Sequence, residues 1–137
     1  MIIARRKNKL PLFLFRERRK APRVCLHETL FLDYRILFDE TTGVGEGMDL
    51  STTGIRFISD STLPEGTRLN LTLYLYPAYR HAKAIPLQGR VVRCYKESGH
   101  EHCRVTCTFD RLEKSERLAI DAFIDWVKER HQRSFYL

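Results

Sequence analysis

Apolar and polar residues alternate in short runs along most of the chain, the pattern of β-strands that bury one face. Residues Glu28–Asp39 are rich in β-branched and aromatic types, and leucine occupies every second position within Arg68–Tyr76. Gln88–Tyr95 and His102–Phe109 flank a polar turn and predict a hairpin. The chain is therefore predicted to be mainly β.

A glycine-rich segment, Thr41–Gly47, follows the first predicted strand. It lacks the GK[ST] ending and the following helix of a phosphate loop, so we expect a flexible hairpin loop. A short strand-turn-strand unit over Met48–Ser59 comes next.

The predicted hairpin also suggests a register. If Lys96 pairs with Glu101, Cys94 faces Cys103, and alternate residues share one face. That face is predicted to belong to the core and consists of Val92, Cys94, Cys103, Val105, Cys107 and Phe109.

The last segment changes to a helical period. Ser115 is a suitable N-cap with Glu116 in the first turn, which predicts a helix over about residues 115–131. Its apolar stripe comprises Leu118, Ala119, Ala122, Phe123, Trp126 and Val127. Strands followed by one helix indicate a β-barrel or sandwich with a C-terminal helix packed on it.

The net charge of +7 is confined to one end of the chain. Residues 1–23 contain nine basic residues and one acid, whereas the remainder contains 15 basic and 16 acidic residues. Such a block indicates an exposed arm that meets nucleic acid, a phosphate ligand or a membrane surface, or else a solvated tail. The apolar run Leu10–Phe15 is too short for a signal peptide or a membrane span. We therefore expect a cytoplasmic chain.

Sequence motifs of catalysis are missing: HExxH, GxSxG, GxxxxGK[ST] and GxGxxG do not occur. We predict no enzymatic activity and no cofactor. One cluster could in principle bind zinc or undergo redox chemistry, namely Cys94, His100, His102, Cys103 and Cys107. The predicted hairpin places its cysteines on the apolar face, so core packing is the favoured interpretation and no metal is predicted.

Two short segments carry the strongest indication of a binding site. The first is Arg18–Arg23, which contains Arg19-x-x-x-Arg23; Pro22 disfavours a helix there. The second is Asp49–Gly54, a D-x-S-x-x-G turn. Arginine can bond guanine O6 and N7 together, or a phosphate, through its planar fork.

The turn residues complement this chemistry. Asp49 could accept bonds from guanine N–H groups, Ser51 could supply a hydroxyl, and Gly54 allows a positive φ and close backbone approach. Taken alone, the same turn is also a competent strand connection without any ligand.

Together, the two segments resemble the PilZ domain family, which has RxxxR before the first strand and [D/N]xSxxG after the second. The resemblance runs from about Arg16 to Arg130, through LQGRVVR at residues 87–93 and CRVTCTF at residues 103–109. It implies a six-stranded antiparallel β-barrel with one C-terminal α-helix over residues 18–137, preceded by an arm over residues 1–17. Thr106 departs from the family pattern, where many relatives have glycine.

The resemblance further implies a receptor for cyclic di-GMP. Arg19 and Arg23 would clasp guanine and phosphate, and Arg18, before the motif, is compatible with an intercalated ligand pair. Asp49, Ser51 and Gly54 would contact the other guanine edge. Receptors of this family act on motility, adhesion or polysaccharide secretion through a protein partner, which is unknown here.

Two other functions are retained as alternatives. One is a nucleic-acid-binding module that uses the basic arm and the aromatic residues Tyr74, Tyr76 and Tyr79, although the nearly neutral body disfavours it. The other is a PilZ-like domain without ligand that makes only protein–protein contacts.

Overall fold

The computed structural model describes residues 23–76, 79, 84–96, 99 and 101–136. Six strands precede one helix, as the alternating pattern and the change of period predict. The elements are β1 (Val24–Ile36), β2 (Thr42–Leu50), β3 (Gly54–Ser59), β4 (Arg68–Tyr74), β5 (Ala84–Lys96), β6 (Cys103–Phe109) and α1 (Lys114–Tyr136).

The strands form one closed antiparallel barrel in the order β1-β2-β3-β6-β5-β4. Two ladders join strands that are distant in sequence: β1 pairs with β4, and β3 pairs with β6. A closed barrel leaves no strand edge free for pairing with another chain. The prediction of a six-stranded antiparallel barrel with a C-terminal helix is confirmed.

The glycine-rich segment is a strand, so its prediction as a flexible loop was wrong. Gly43, Gly45 and Gly47 all lie in β2, with Gly45 buried. A Cβ on Gly45 would lie 2.7 Å from Cδ2 of Phe57 and 3.0 Å from the carbonyl oxygen of Ile58. The glycines leave room for large core side chains that cross the strand, a use of glycine that resembles a turn in sequence.

The chain reverses direction between β1 and β2, just before the first of these glycines. Phe38 and Glu40 adopt left-handed backbone conformations, with φ of 71° and 64°. The carbonyl of Ile36 accepts hydrogen bonds from the N–H groups of Asp39 and Glu40. A turn built from residues that seldom adopt positive φ carries no sequence signal, which explains the misplaced loop.

The predicted register of the β5–β6 hairpin was also wrong. Lys96 pairs with Cys103 and Cys94 with Val105, and the register shifts at a bulge between Val91 and Arg93. Consequently Val91 is buried while Val92 is 40% exposed, the reverse of the prediction. A bulge inserts one residue and flips the side chains beyond it to the other face. Burial of Cys103, Val105 and Cys107 is confirmed.

The helix packs on the barrel with a face rotated from the predicted stripe. Leu118 is 57% exposed, and Ala122 is exposed as well. The buried residues are Ile120, Phe123, Ile124 and Val127. The rings of Tyr76 and Tyr79 lie 5.0 and 5.3 Å from that of Phe123, so residues after β4 select the buried face.

Substitution Gly45→Ala is expected to destabilise the barrel by about 1–3 kcal/mol, because the added methyl group meets the fully buried Phe57 ring. Val44→Ala in the same strand is the control, since Val44 is 60% exposed and its truncation should change stability by less than about 0.5 kcal/mol. Urea unfolding of both variants measures the difference. Equal stability of the two variants would contradict this account of the β2 glycines.

Candidate functional site

The turn between β2 and β3 is closed by Ser51. Its N–H donates to the carbonyl of Gly54 at 3.0 Å, and its Oγ accepts from the N–H of Thr53 at 3.1 Å. The side chain is fully buried and also hydrogen-bonds the Thr53 hydroxyl. Ser51 therefore holds the turn in shape through local side-chain-to-backbone bonds.

Gly54 begins β3 and pairs there with Thr108 of β6. A Cβ at this position would collide with the carbonyl oxygen of Cys107, and neither backbone can retreat within the ladder. Gly66 and Gly99 are the glycines with positive φ in the described part of the chain, so the interpretation of Gly54 as a positive-φ residue was wrong. The expected close backbone approach is present and belongs to barrel closure.

Asp49 lies at the end of β2 and is 2% exposed. Arg56 donates to its Oδ2 through Nε at 2.6 Å, and Nη2 of the same guanidinium contacts that oxygen as well. Nε of Arg23 lies 3.6 Å from Oδ1. Oδ1 is buried and accepts no hydrogen bond from the residues that the structure describes. Within the described part of the chain, the carboxylate thus has one hydrogen-bonded oxygen and one acceptor that is still available.

Four of the predicted site residues come together at this turn: Arg23, Asp49, Ser51 and Gly54. Arg18 and Arg19 lie outside the described residues. The sequence reasoning missed Arg56. The turn itself carries the signal, because a hairpin closed at Ser51–Gly54 places Leu50 opposite Ile55 and Asp49 opposite Arg56.

The Asp49–Arg56 pair is the strongest electrostatic contact of this turn. Its hydrogen bond to Asp49 raises the pKa of the Arg56 guanidinium above the ordinary value. Two nitrogens of the planar guanidinium converge on the single oxygen Oδ2, so the carboxylate is held by two donors of fixed relative geometry.

A cationic groove of about 530 Å³ adjoins the turn on the outer face of β3, β6 and β5. Arg56, Thr106 and Arg93 form a row of cross-strand partners within it. The other lining residues are Met48, Glu65, Cys94, Tyr95, Arg104 and Val105. Thr106, which departs from the family pattern, therefore forms part of the wall of this groove.

Within the cysteine–histidine cluster, the predicted core packing is confirmed for Cys103 and Cys107. Cys103 and Cys107 are each 1% exposed, and Cys94 is half-buried with its Sγ near the N–H of Leu63. Within the described ranges, no group of three or more histidine, cysteine or acidic side chains could hold a metal. His100 lies outside those ranges.

The proposed aromatic platform for nucleic acid was wrong in two of its three members. Tyr76 and Tyr79 are buried against α1. Of the three, only Tyr74 is accessible, and its hydroxyl donates a hydrogen bond to Oδ2 of Asp33 at 2.5 Å. Of the helical residues described, no stretch has the length and apolar character needed to cross a membrane.

The family model of the PilZ domain matches residues 17–126. The chain belongs to the PilZ domain family. No protein of curated function matches this PilZ chain in sequence.

Solved structures share the fold at low sequence identity. The PilZ domain of Escherichia coli YcgR with c-di-GMP superposes with a TM-score of 0.65 at 17% identity, covering 86% of this chain and 97% of that one. K. pneumonia MrkH in its apo state superposes with a TM-score of 0.72 at 15% sequence identity, and the match covers 87% of this chain and 55% of MrkH. Bacillus subtilis inhibitor of motility (MotI/DgrA) superposes with a TM-score of 0.66 at 17% sequence identity, and the match covers 85% of this chain and 53% of that protein. The chain spans about half the length of the latter two proteins.

Thiol reactivity is expected to follow burial. Burial raises the pKa of Cys107 to about 12, so at pH 8 it remains a protonated thiol and should react only after unfolding. Exposed Cys25 should react first with a thiol reagent in the native protein. Mass spectrometry of partially alkylated protein identifies the order, and early labelling of Cys107 would contradict the packed core around β6.

Proposed function

We propose that this PilZ domain is a receptor for cyclic di-GMP that works in the cytoplasm without catalytic activity. The observation that carries the proposal is the Asp49 carboxylate: it is buried, its Oδ1 accepts no hydrogen bond from any residue that the structure describes, and the Arg23 guanidinium lies 3.6 Å from Oδ1. A buried acceptor beside an arginine fork suits a ligand with N–H donors and anionic oxygens.

In the proposed complex, N–H groups of guanine donate to Oδ1 of Asp49. Arg23 contacts guanine O6 and N7 or a phosphate, and Arg19 and Arg18 add further donors from the arm. Ser51 and Gly54 support this site by holding the turn and its strand in place. No metal or organic cofactor takes part in this mode of binding.

The ligand would act by ordering the basic arm over the turn. Contact with two phosphates neutralises part of the arm's excess charge and changes the surface offered to a protein partner. The process controlled through that partner is proposed to be motility, adhesion or exopolysaccharide production. Among the similar structures, the YcgR domain and MrkH are described as c-di-GMP complexes, and MotI as an inhibitor of motility.

Calorimetric titration with cyclic di-GMP is expected to show saturable binding that is weakened at least about thirtyfold in Arg19→Ala/Arg23→Ala. The reason is that each good arginine–guanine pair contributes about 1–3 kcal/mol. Cyclic di-AMP serves as the ligand control.

The matched protein control is Arg5→Ala/Arg6→Ala, which removes two arginines from the same basic segment outside the RxxxR motif. It should retain affinity within about threefold of the native protein, a difference of less than 1 kcal/mol. No binding by the native protein would refute the receptor proposal and favour the protein-interaction alternative.

Nucleic-acid binding is the second candidate, favoured by the cationic groove with Arg56, Arg93 and Arg104. Salt dependence separates the two functions. Raising salt from 50 to 200 mM should weaken binding of the two-phosphate ligand by less than about twentyfold, whereas six to ten backbone contacts would lose about 10³–10⁵ in affinity. Oligonucleotide binding with the steeper dependence, together with no response to cyclic di-GMP, would establish the second function.

A further inference from the structure

Arg56 is an unassigned arginine that directly contacts the centre of the proposed ligand site. It lies on β3 opposite Asp49, and its side chain is 46% exposed while that of Asp49 is 3% exposed. Nε and Nη2 both approach Oδ2, which uses the two lone pairs of that oxygen. Among the residues from 23 onward that the structure describes, none donates a hydrogen bond to Oδ1.

We propose that Arg56 is a positioning residue, which fixes the Asp49 carboxylate with one free oxygen and thereby sets a preference for guanine over adenine. The inference rests on the proposed function. It concerns the recognition of the ligand base by this chain's own ion pair, and it adds a residue that neither short motif contains.

The first step is the orientation of the carboxylate. A carboxylate with a single partner can rotate, but two fixed N–H donors on Oδ2 hold both oxygens in place. Local backbone bonds of Ser51 keep the strand end that carries Asp49 from moving. Oδ1 is therefore presented as an acceptor in a defined direction.

The second step is that Arg56 neutralises Asp49, so that Arg23 remains available to contact the ligand. Arg23 lies 3.6 Å from Oδ1, within ion-pair range but without a hydrogen bond to it. A buried carboxylate without a close partner is strongly unfavourable. Without Arg56, Asp49 would recruit Arg23 as its full partner, which would remove a group needed for guanine.

The third step is the chemistry of the two bases. The Watson–Crick edge of guanine presents two adjacent N–H donors, N1–H and the 2-amino group, which can both converge on Oδ1. The same edge of adenine presents one amino donor beside N1, whose lone pair would face the carboxylate. An ionised carboxylate only accepts hydrogen bonds, so it can accept from both guanine donors but has no donor for adenine N1.

The experiment compares Arg56→Gln and Arg56→Lys with the native protein, each titrated with cyclic di-GMP and cyclic di-AMP. Arg35→Gln is the matched control, because Arg35 is also a strand arginine in an ion pair, with Glu40, at the opposite end of the β1–β2 ladder. We expect Arg56→Gln to lose roughly thirtyfold or more in cyclic di-GMP affinity. Its preference for cyclic di-GMP over cyclic di-AMP should fall at least about tenfold.

Arg56→Lys keeps the charge but replaces the two fixed N–H donors with one rotatable ammonium group, so it should recover part of the cyclic di-GMP affinity and still lose much of the preference over cyclic di-AMP. A readout without ligand is the NMR signal of the Arg56 Nε–H, which should be protected from solvent exchange in the native protein and lose that protection in Asp49→Ala. Circular dichroism and thermal unfolding establish that each variant is folded before it is titrated.

Equal loss of both dinucleotides in Arg56→Gln would overturn the inference, since Arg56 would then contribute only uniform attraction or stability. Unchanged cyclic di-GMP binding in that variant would overturn it as well. Both results are distinct from a failure of the proposed function, which would appear as absent cyclic di-GMP binding by the native protein.

Discussion

The β3–β6 ladder joins two strands that are about fifty residues apart in the chain, and with the β1–β4 ladder it closes the barrel. It depends on close contact of two backbones at Gly54, where any side chain would collide with the carbonyl of Cys107. Closure buries Phe57, Cys107 and Val105 together. The candidate ligand site lies at the end of this ladder, so the hydrogen-bonded strands of the barrel hold its side chains in place.

The D-x-S-x-x-G turn combines two roles within six residues. Ser51 and Gly54 maintain the turn and the strand contact, whereas Asp49 holds a buried charge that structure alone does not require. A buried ion pair adds little net stability, because desolvation offsets its attraction. The Asp49–Arg56 pair therefore adds little to folding, which agrees with the recognition role proposed for it, since functional sites often give up some stability.

Positive charge is concentrated in two groups of residues. The excess positive charge resides in residues 1–23, and a second group of arginines, Arg56, Arg93 and Arg104, lines the groove beside Asp49. Anions would be attracted from solution to the groove beside Asp49. The opposite end of β1 carries an exposed, balanced pair, Arg35 with Glu40, so the attraction is directional.

The sequence by itself determined the strand composition, the terminal helix and the turn that carries Asp49, because each depends on periodicity or on residues adjacent in the chain. The tertiary structure decided the rest. The β2 glycines make room for Phe57 and other core side chains, the bulge at Val91–Arg93 sets which valine is buried, and Tyr76 and Tyr79 select the buried face of the helix. Arg56 became a site residue only through pairing across the hairpin. The glycine contacts, the bulge and the buried helix face depend on contacts between residues that are separated in the chain, which local patterns do not encode, whereas the turn itself already places Arg56 opposite Asp49.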